Sequence, residues 1–210
     1  MQIPQRRQSD EVNEIAIQRL RDRFPFITET EWRSFMESCK VVTLKKGEHF
    51  LVQGSPVRKS CFVLSGILKH TRCTEESNET ILHFNFDDAF IGDCHSYHNQ
   101  TPGHFSVTAL TSCCLLVIQI ETFGKISYEQ PGLLQMGIKL SQELLENFAF
   151  HAQVLSHKDP LIKYKLVLNR FPEFIQKVAL TEIAKYMGVS RETVSRTRLR
   201  LLDESRNLCD

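Results

Sequence analysis

The run from 178 to 202, VALTEIAKYMGVSRETVSRTRLRLL, restricts the fold of this chain more than any other stretch. Ile183, Ala184 and Met187 give a first short helix an apolar face, and Val189 and Val194 close a small core against it. Ala184 is small enough for a second helix to cross closely, and Gly188 can take the positive φ that the reversal requires. Ser190 stands where the second helix needs an N-cap. This spacing predicts a helix-turn-helix. At ~100° per residue, Val194, Thr197 and Leu201 share one side of the second helix, while Arg191, Glu192, Ser195, Arg196 and Arg198 point the other way. Guanidinium forks on such a face fit guanine O6 and N7, and a carboxylate accepts from cytosine N4. Ser195 and the amides at the helix start suit phosphate oxygens. The expected DNA-binding set is therefore Ser190, Arg191, Glu192, Ser195 and Arg196. The competing reading of the same face is a solvated helix laced with ion pairs, such as Glu192 with Arg196.

Charge supports a separate C-terminal module. The net charge is +1, yet residues 158–210 hold eleven Lys and Arg against seven Asp and Glu, and the first 157 residues hold fifteen against eighteen. A basic surplus confined to one end points to an anionic partner there. No apolar run approaches the ~18 residues of a membrane span, and MQIPQRRQSDEVNE lacks the apolar centre of a signal peptide. The expected setting is cytoplasmic, with no membrane partner. The seven cysteines are scattered and include no C-x-x-C pair. That argues against a zinc ribbon or thioredoxin-type motif, and most are expected as small buried hydrophobes.

Upstream, EVNEIAIQRLRD (residues 11–22) spaces Val12, Ile15, Ile17 and Leu20 helically, and Thr28 with Glu31 forms a capping box for a second helix. From Lys40 to Ile120 the texture changes to short alternating or apolar runs. They break at Lys46-Gly47, Gly54-Ser55-Pro56 and Ser65-Gly66, with TEESNET as a polar hairpin tip. Many short strands at such spacing predict a β-sandwich or barrel-like roll. Residues 133–157 return to helical periodicity, with Leu133, Gly137, Leu140, Leu144, Phe148 and Leu155 as a stripe. Leu145, Phe150 and Val154 widen it, so this helix lies on the β-roll, pairs with a second copy of itself, or does both. HKDP is a hinge, since Pro160 disfavours helix at Asp159 and can open a new one.

SRETVSRTRLRLL resembles the recognition helix of the Crp/Fnr superfamily of bacterial transcription regulators. KKGEHFLVQGSPVRKSCFVLSG is similar to that family's opening strands, and FDDAFIGD to its short turn into the nucleotide cassette, so the resemblance runs from about 40 to 202. It implies an α+β chain in three parts. Residues 1–132 would form a cyclic-nucleotide-binding-like, double-stranded jelly-roll-like β-roll with N-terminal helices. Residues 133–157 would be a long dimerisation helix, and 158–210 a small all-α helix-turn-helix domain. Arg191, Glu192 and Arg196 match the family's base- and phosphate-contacting positions. The implied partners are a second copy of the chain, pseudo-palindromic promoter DNA with half-sites about one helical turn apart, and RNA polymerase. Family members continue into a β-hairpin wing, but LLDESRNLCD after Arg200 is too short for one. A full wing and its phosphate contacts are therefore expected to be missing.

The cassette departs from the family as well. Members that bind cyclic AMP read Gly-Glu-Leu followed by Arg-Ser/Thr-Ala. Here Gly92 matches, Asp93 stands one methylene shorter than the glutamate, and Gly103 and His104 fall where Arg-Ser is expected. No arginine occurs between Arg72 and Arg170. Burying a phosphate without a cation is expensive, so the reading is a degenerate pocket that does not take cyclic AMP in the usual way. Gly92, Asp93, Gly103 and His104 are its candidate residues. The effector is unknown, and no cofactor is predicted. Cys94, His95, His98 and His104 include good ligand types, yet their spacing matches no recurring zinc pattern, so no metal ligand set is assigned.

The leading expectation is a DNA-binding regulator and not an enzyme. Three alternatives stand beside it: a metal- or haem-binding sensor, a cupin-like metal enzyme, and a sensing module whose helix-turn-helix contacts only protein. Against the cupin-like reading, C-H-x-x-H is followed by no Glu before Glu121.

Overall fold

The computed structural model describes residues 5–74, 79–172 and 174–206. Two helices open the chain, α1 (Gln5–Arg23) and α2 (Glu29–Glu37). The Thr28 capping box forms as expected: Glu31 N donates to the Thr28 hydroxyl, and Thr28 N donates to Glu31 Oε2 at 2.9 Å. The α1 pattern is shifted from the expected one, because Ile15 is exposed while Ala16, Leu20 and Phe24 are buried. The side chain of Val12 lies outside the described residues.

Among the described residues eight strands follow: β1 (Cys39–Leu44), β2 (His49–Leu51), β3 (Lys59–Ser65), β4 (Leu68–Cys73), β5 (Glu79–Asn85), β6 (Phe90–Ile91), β7 (Ser106–Ala109) and β8 (Cys113–Gln119). They form two antiparallel sheets, ordered β1-β8-β3-β6 and β2-β7-β4-β5. Much of the expected TEESNET tip, which would join β4 to β5, lies outside the described residues. The break at Gly66 is obligatory. Its φ is +110°, and a Cβ there would stand 2.7 Å from the Ser112 carbonyl.

The run CFVL explains the layering. Cys61 and Val63 point between the sheets, packing with Leu68, Ile91, Val107 and Leu115. Phe62 and Leu64 point outward, onto Leu20, Phe35, Leu133 and Met136 of the helices. A strand buried on both faces cannot alternate with polar residues, so it reads as one apolar run. Among the described cysteines only Cys61 and Cys113 are buried, and Cys73 is exposed, which corrects the expectation that most would be interior. Burial pushes the Cys61 thiol well above its usual range and that of Cys39 up to about 12.

A short helix, α3 (Cys94–His98), carries Cys94, His95 and His98. After β8 come α4 (Ile120–Glu129) and α5 (Pro131–Ser156). The sequence stripe on α5 merges two faces. Leu133, Met136, Leu140, His151 and Val154 are buried inward, while Leu134, Ile138, Leu145, Phe148 and Leu155 are exposed. The C-terminal helices are α6 (Pro160–Arg170), α7 (Phe174–Lys177), α8 (Leu180–Met187) and α9 (Arg191–Arg206). Asp159 caps α6 by accepting from Leu161 N, and Pro160 opens it. Among the described residues no strand follows α9.

Candidate nucleic-acid interface and sensor cassette

The α8–α9 pair has the geometry its sequence predicts. Gly188 ends α8 in the left-handed region (φ 64°), a conformation that costs a residue with a Cβ. Ser190 Oγ accepts from Thr193 N at 3.1 Å, capping α9. Val194 is buried in the core that α8 shares and Thr197 is buried beside it on the same helix, while Arg191, Glu192, Arg196, Arg198 and Arg200 are exposed and Ser195 is half-exposed. The Glu192 carboxyl is held below its ordinary range by the backbone N–H at the helix start and by the Ser190 hydroxyl.

Two buried side chains that sequence reasoning missed hold this pair in place. Lys163 of α6 donates to the Met187 carbonyl at 2.8 Å, and His151 Nε2 of α5 donates to the Tyr186 carbonyl at 2.9 Å. The His151 ring also stacks on Tyr186, with centroids 4.3 Å apart. Carbonyls at a helix C-terminus lack intrahelical partners, and cationic donors suit them. In this way α5 and α6 set the position from which α9 starts. A lysine and a histidine inside helical patterns look like surface residues until the tertiary partner is known.

Sheet two is joined to the same module. Ile67, Ile81 and Phe84 share a core with Tyr164, Ile183, Tyr186 and Met187. At its edge Lys69 Nζ lies 3.0 Å from Glu79 and 3.1 Å from Glu182, and Lys185 Nζ lies 2.7 Å from Glu79. Beside it sit two buried imidazoles, His70 and His83, which face each other across β4 and β5 with ring centroids 6.0 Å apart. Among the described residues neither His70 nitrogen has a hydrogen-bond partner, nor does His83 Nδ1. Burial depresses both rings to about 3, and His70 adds to the effect at His83.

The cassette residues are brought together, but around one another. Asp93 is buried and caps α3: Oδ1 accepts from Ser96 N at 3.0 Å. Its Oδ2 accepts from the Ser96 hydroxyl at 2.7 Å and from His104 N at 3.2 Å. Ser96 Oγ is in turn 2.8 Å from His104 Nδ1. Gly103 is buried, donating to the Ser55 carbonyl and accepting from Gly54 N, each at 2.9 Å, and a Cβ there would come 3.0 Å from Val57. Gly92 lies against Phe90. A carboxylate with these three donors has little left for a ribose hydroxyl. Arg58, from the loop before β3, lines a cleft of about 630 Å³ together with Ser96, Gln100 and Thr101. Between α3, α4 and α5 lies a second, apolar groove of about 1000 Å³, walled by Phe90, Tyr97, Phe123, Leu134 and Ile138.

Residues 41–128 match the family model of the cyclic nucleotide-binding domain, to which this β-roll is similar. With the long helix and the helix-turn-helix that follow, the described residues are similar in fold to solved structures of transcription regulators. Solved structures of the same fold include FixK2 from Bradyrhizobium japonicum, with TM-score 0.68 and 13% identity over 80% of this chain and 86% of that one. The c-di-GMP responsive global regulator CLP from Xanthomonas campestris has TM-score 0.65 and 20% identity, over 85% of this chain and 93% of that one. A protein from Eubacterium rectale described as a transcriptional regulator of the Crp/Fnr family has TM-score 0.63 and 16% identity, over 86% of both chains. At these identities the likeness is one of fold. No curated protein matches the chain by sequence. No helix among the described residues is long and apolar enough to cross a membrane.

Proposed function

We infer that this chain is a homodimeric, sequence-specific DNA-binding transcription regulator of the Crp/Fnr type, acting in the cytoplasm and not as an enzyme. The observation that carries this reading is the exposed face of α9, with Arg191, Glu192, Arg196 and Arg198 displayed directly after a Ser190-capped, Gly188-turned start. Arg196 and Glu192 read base edges, while Ser190, Arg191 and Ser195 hold phosphates. Dimerisation uses the outer face of α5. Leu134, Ile138, Ser141, Leu145, Phe148, Ala152 and Leu155 follow alternating steps of four and three, the spacing of a coiled-coil seam. Two copies joined along it present two recognition helices to a pseudo-palindromic promoter, with RNA polymerase as the further partner. The sensor does not take cyclic AMP by the usual contacts, because Asp93 is committed to Ser96 and His104 and the arginine of the family's cassette is absent.

Selection of bound duplexes from a random pool tests the proposal. A pseudo-palindromic consensus is expected, with affinity that falls steeply with salt. Failure to enrich any sequence would favour a helix-turn-helix used for protein contact.

A further inference from the structure

We propose that His95 and His104 form a surface site for one borderline divalent transition-metal ion, such as Zn²⁺, Ni²⁺ or Cu²⁺, with water completing the shell. They stand nine positions apart in sequence, and no recurring metal motif has that spacing. The chain returns on itself after α3, through Gln100 at φ 56° and a bond from Thr101 N to the Ser96 carbonyl. The two imidazoles are thereby brought to 5.1 Å between centroids, at 52°. Two imidazoles bound to one tetrahedral ion, with metal–nitrogen bonds of about 2.0–2.1 Å, have ring centres about 5 Å apart.

The buried polar groups behind His104 select the tautomer that ligation needs. Ser96 has one hydroxyl proton, and its shortest contact, 2.7 Å, is to Asp93 Oδ2, an acceptor. The 2.8 Å contact between Ser96 Oγ and His104 Nδ1 is then made by the Nδ1 proton. The lone pair is left on Nε2, at the opposite edge of a ring whose side chain is 45% exposed. Asp93 and Ser96 are 5% and 1% exposed, so the relay is built into the fold and is not a surface accident. Metal-ligating histidines are oriented in this way, by a donor nitrogen bonded to a carboxylate or polar relay behind it. His95 is exposed, and its Nδ1 has only a 3.3 Å contact from Asn99, whose amide already donates to the His95 carbonyl at 2.9 Å. Turning that ring to a metal therefore costs little.

Among the described residues no cluster of three or more His, Cys, Asp or Glu side chains is arranged to hold an ion. The site accordingly has two protein ligands, exchanges readily, and discriminates by ligand type: imidazole suits Zn²⁺, Ni²⁺ and Cu²⁺, while Mg²⁺ and Ca²⁺ prefer oxygen. A bound ion would clip α3 to the segment entering β7, across the stretch that holds the cassette residues. This site is independent of the DNA-binding reading and stands or falls separately.

The test is calorimetric titration of the untagged full-length protein with Zn²⁺, and electron paramagnetic resonance with Cu²⁺. One ion per chain and a Cu²⁺ spectrum showing two imidazole nitrogens are expected, with no response to Mg²⁺. His95→Ala and His104→Ala should each weaken binding at least tenfold and remove one nitrogen coupling. Ser96→Ala should weaken it several-fold while keeping both couplings, the mark of a positioning residue. His49→Ala, remote from the site, should change nothing. Binding that survives both His95→Ala and His104→Ala in correctly folded protein, as judged by circular dichroism, would overturn the proposal. So would a Cu²⁺ spectrum with no imidazole coupling.

Discussion

Lys163 is the residue on which the placement of the recognition helix most directly depends. It is 7% exposed, and its ammonium ends on the Met187 carbonyl. Lys163→Met keeps the volume but leaves that carbonyl without a donor, which costs on the order of 1–3 kcal/mol. The expected result is a lower denaturation midpoint together with weaker DNA binding, because the turn at Gly188 loses its anchor. Arg196→Ala is expected to leave stability unchanged, since the side chain is exposed. It should relax base preference at one position of the selected site by about 1–3 kcal/mol; an unchanged consensus would remove Arg196 from the interface. His70 and His83 make stability depend on pH. Both fold as neutral rings with values near 3, whereas the unfolded chain protonates them near 6.5. Their contribution is complete above about pH 6.5 and is lost as pH falls toward 3, with a limiting slope on the order of 2–3 kcal/mol per pH unit for the pair. Urea midpoints between pH 7.5 and 5 check this, and the double substitution His70→Phe with His83→Phe should flatten the profile.

Among the elements, α5 has two jobs that its sequence superimposes. Its inner residues are fixed by the roll and by α8, and its outer seam carries five large apolar side chains between 42% and 71% exposed. Leu145, at 71% exposed, lies in the middle of that seam and is a member of none of the buried clusters. Leu145→Lys is therefore expected to leave the melting temperature of the monomer unit nearly unaltered and to shift sedimentation toward single chains. DNA affinity should fall at least tenfold with it, because the two half-sites are then bound separately. A variant that stays dimeric would place the interface elsewhere.

For the whole molecule, the question is how the sensor sheet is connected to the helix-turn-helix. Phe84 packs edge-on against Tyr186, and the network of Lys69, Glu79, Glu182 and Lys185 closes the margin. Burial alone would raise the Glu79 carboxyl, but its bonds to Lys185 and Lys69 prevail and hold it below the usual range. Glu79→Gln leaves two lysines facing one acid, at an expected cost of about 1 kcal/mol given their partial exposure. The measurable consequence is faster proteolysis in the 157–160 hinge, with little change in the unfolding of the roll.

Local chemistry was enough to read several features from the chain. The Thr28 capping box, the Asp159–Pro160 start, the Gly188 turn, the Ser190 cap and the strand-rich middle are all decided by residues within four or five positions of one another. Such short-range hydrogen bonds and steric limits survive any tertiary context. The separation of α5 into two faces, the grip of Lys163 and His151 on α8, the burial of His70 against His83, and the meeting of His95 with His104 were decided only by the folded chain. Each depends on which surfaces the packing of the sheets and helices brings together. A side chain's period along its own element says that it has a face, while burial and partners say what that face is against.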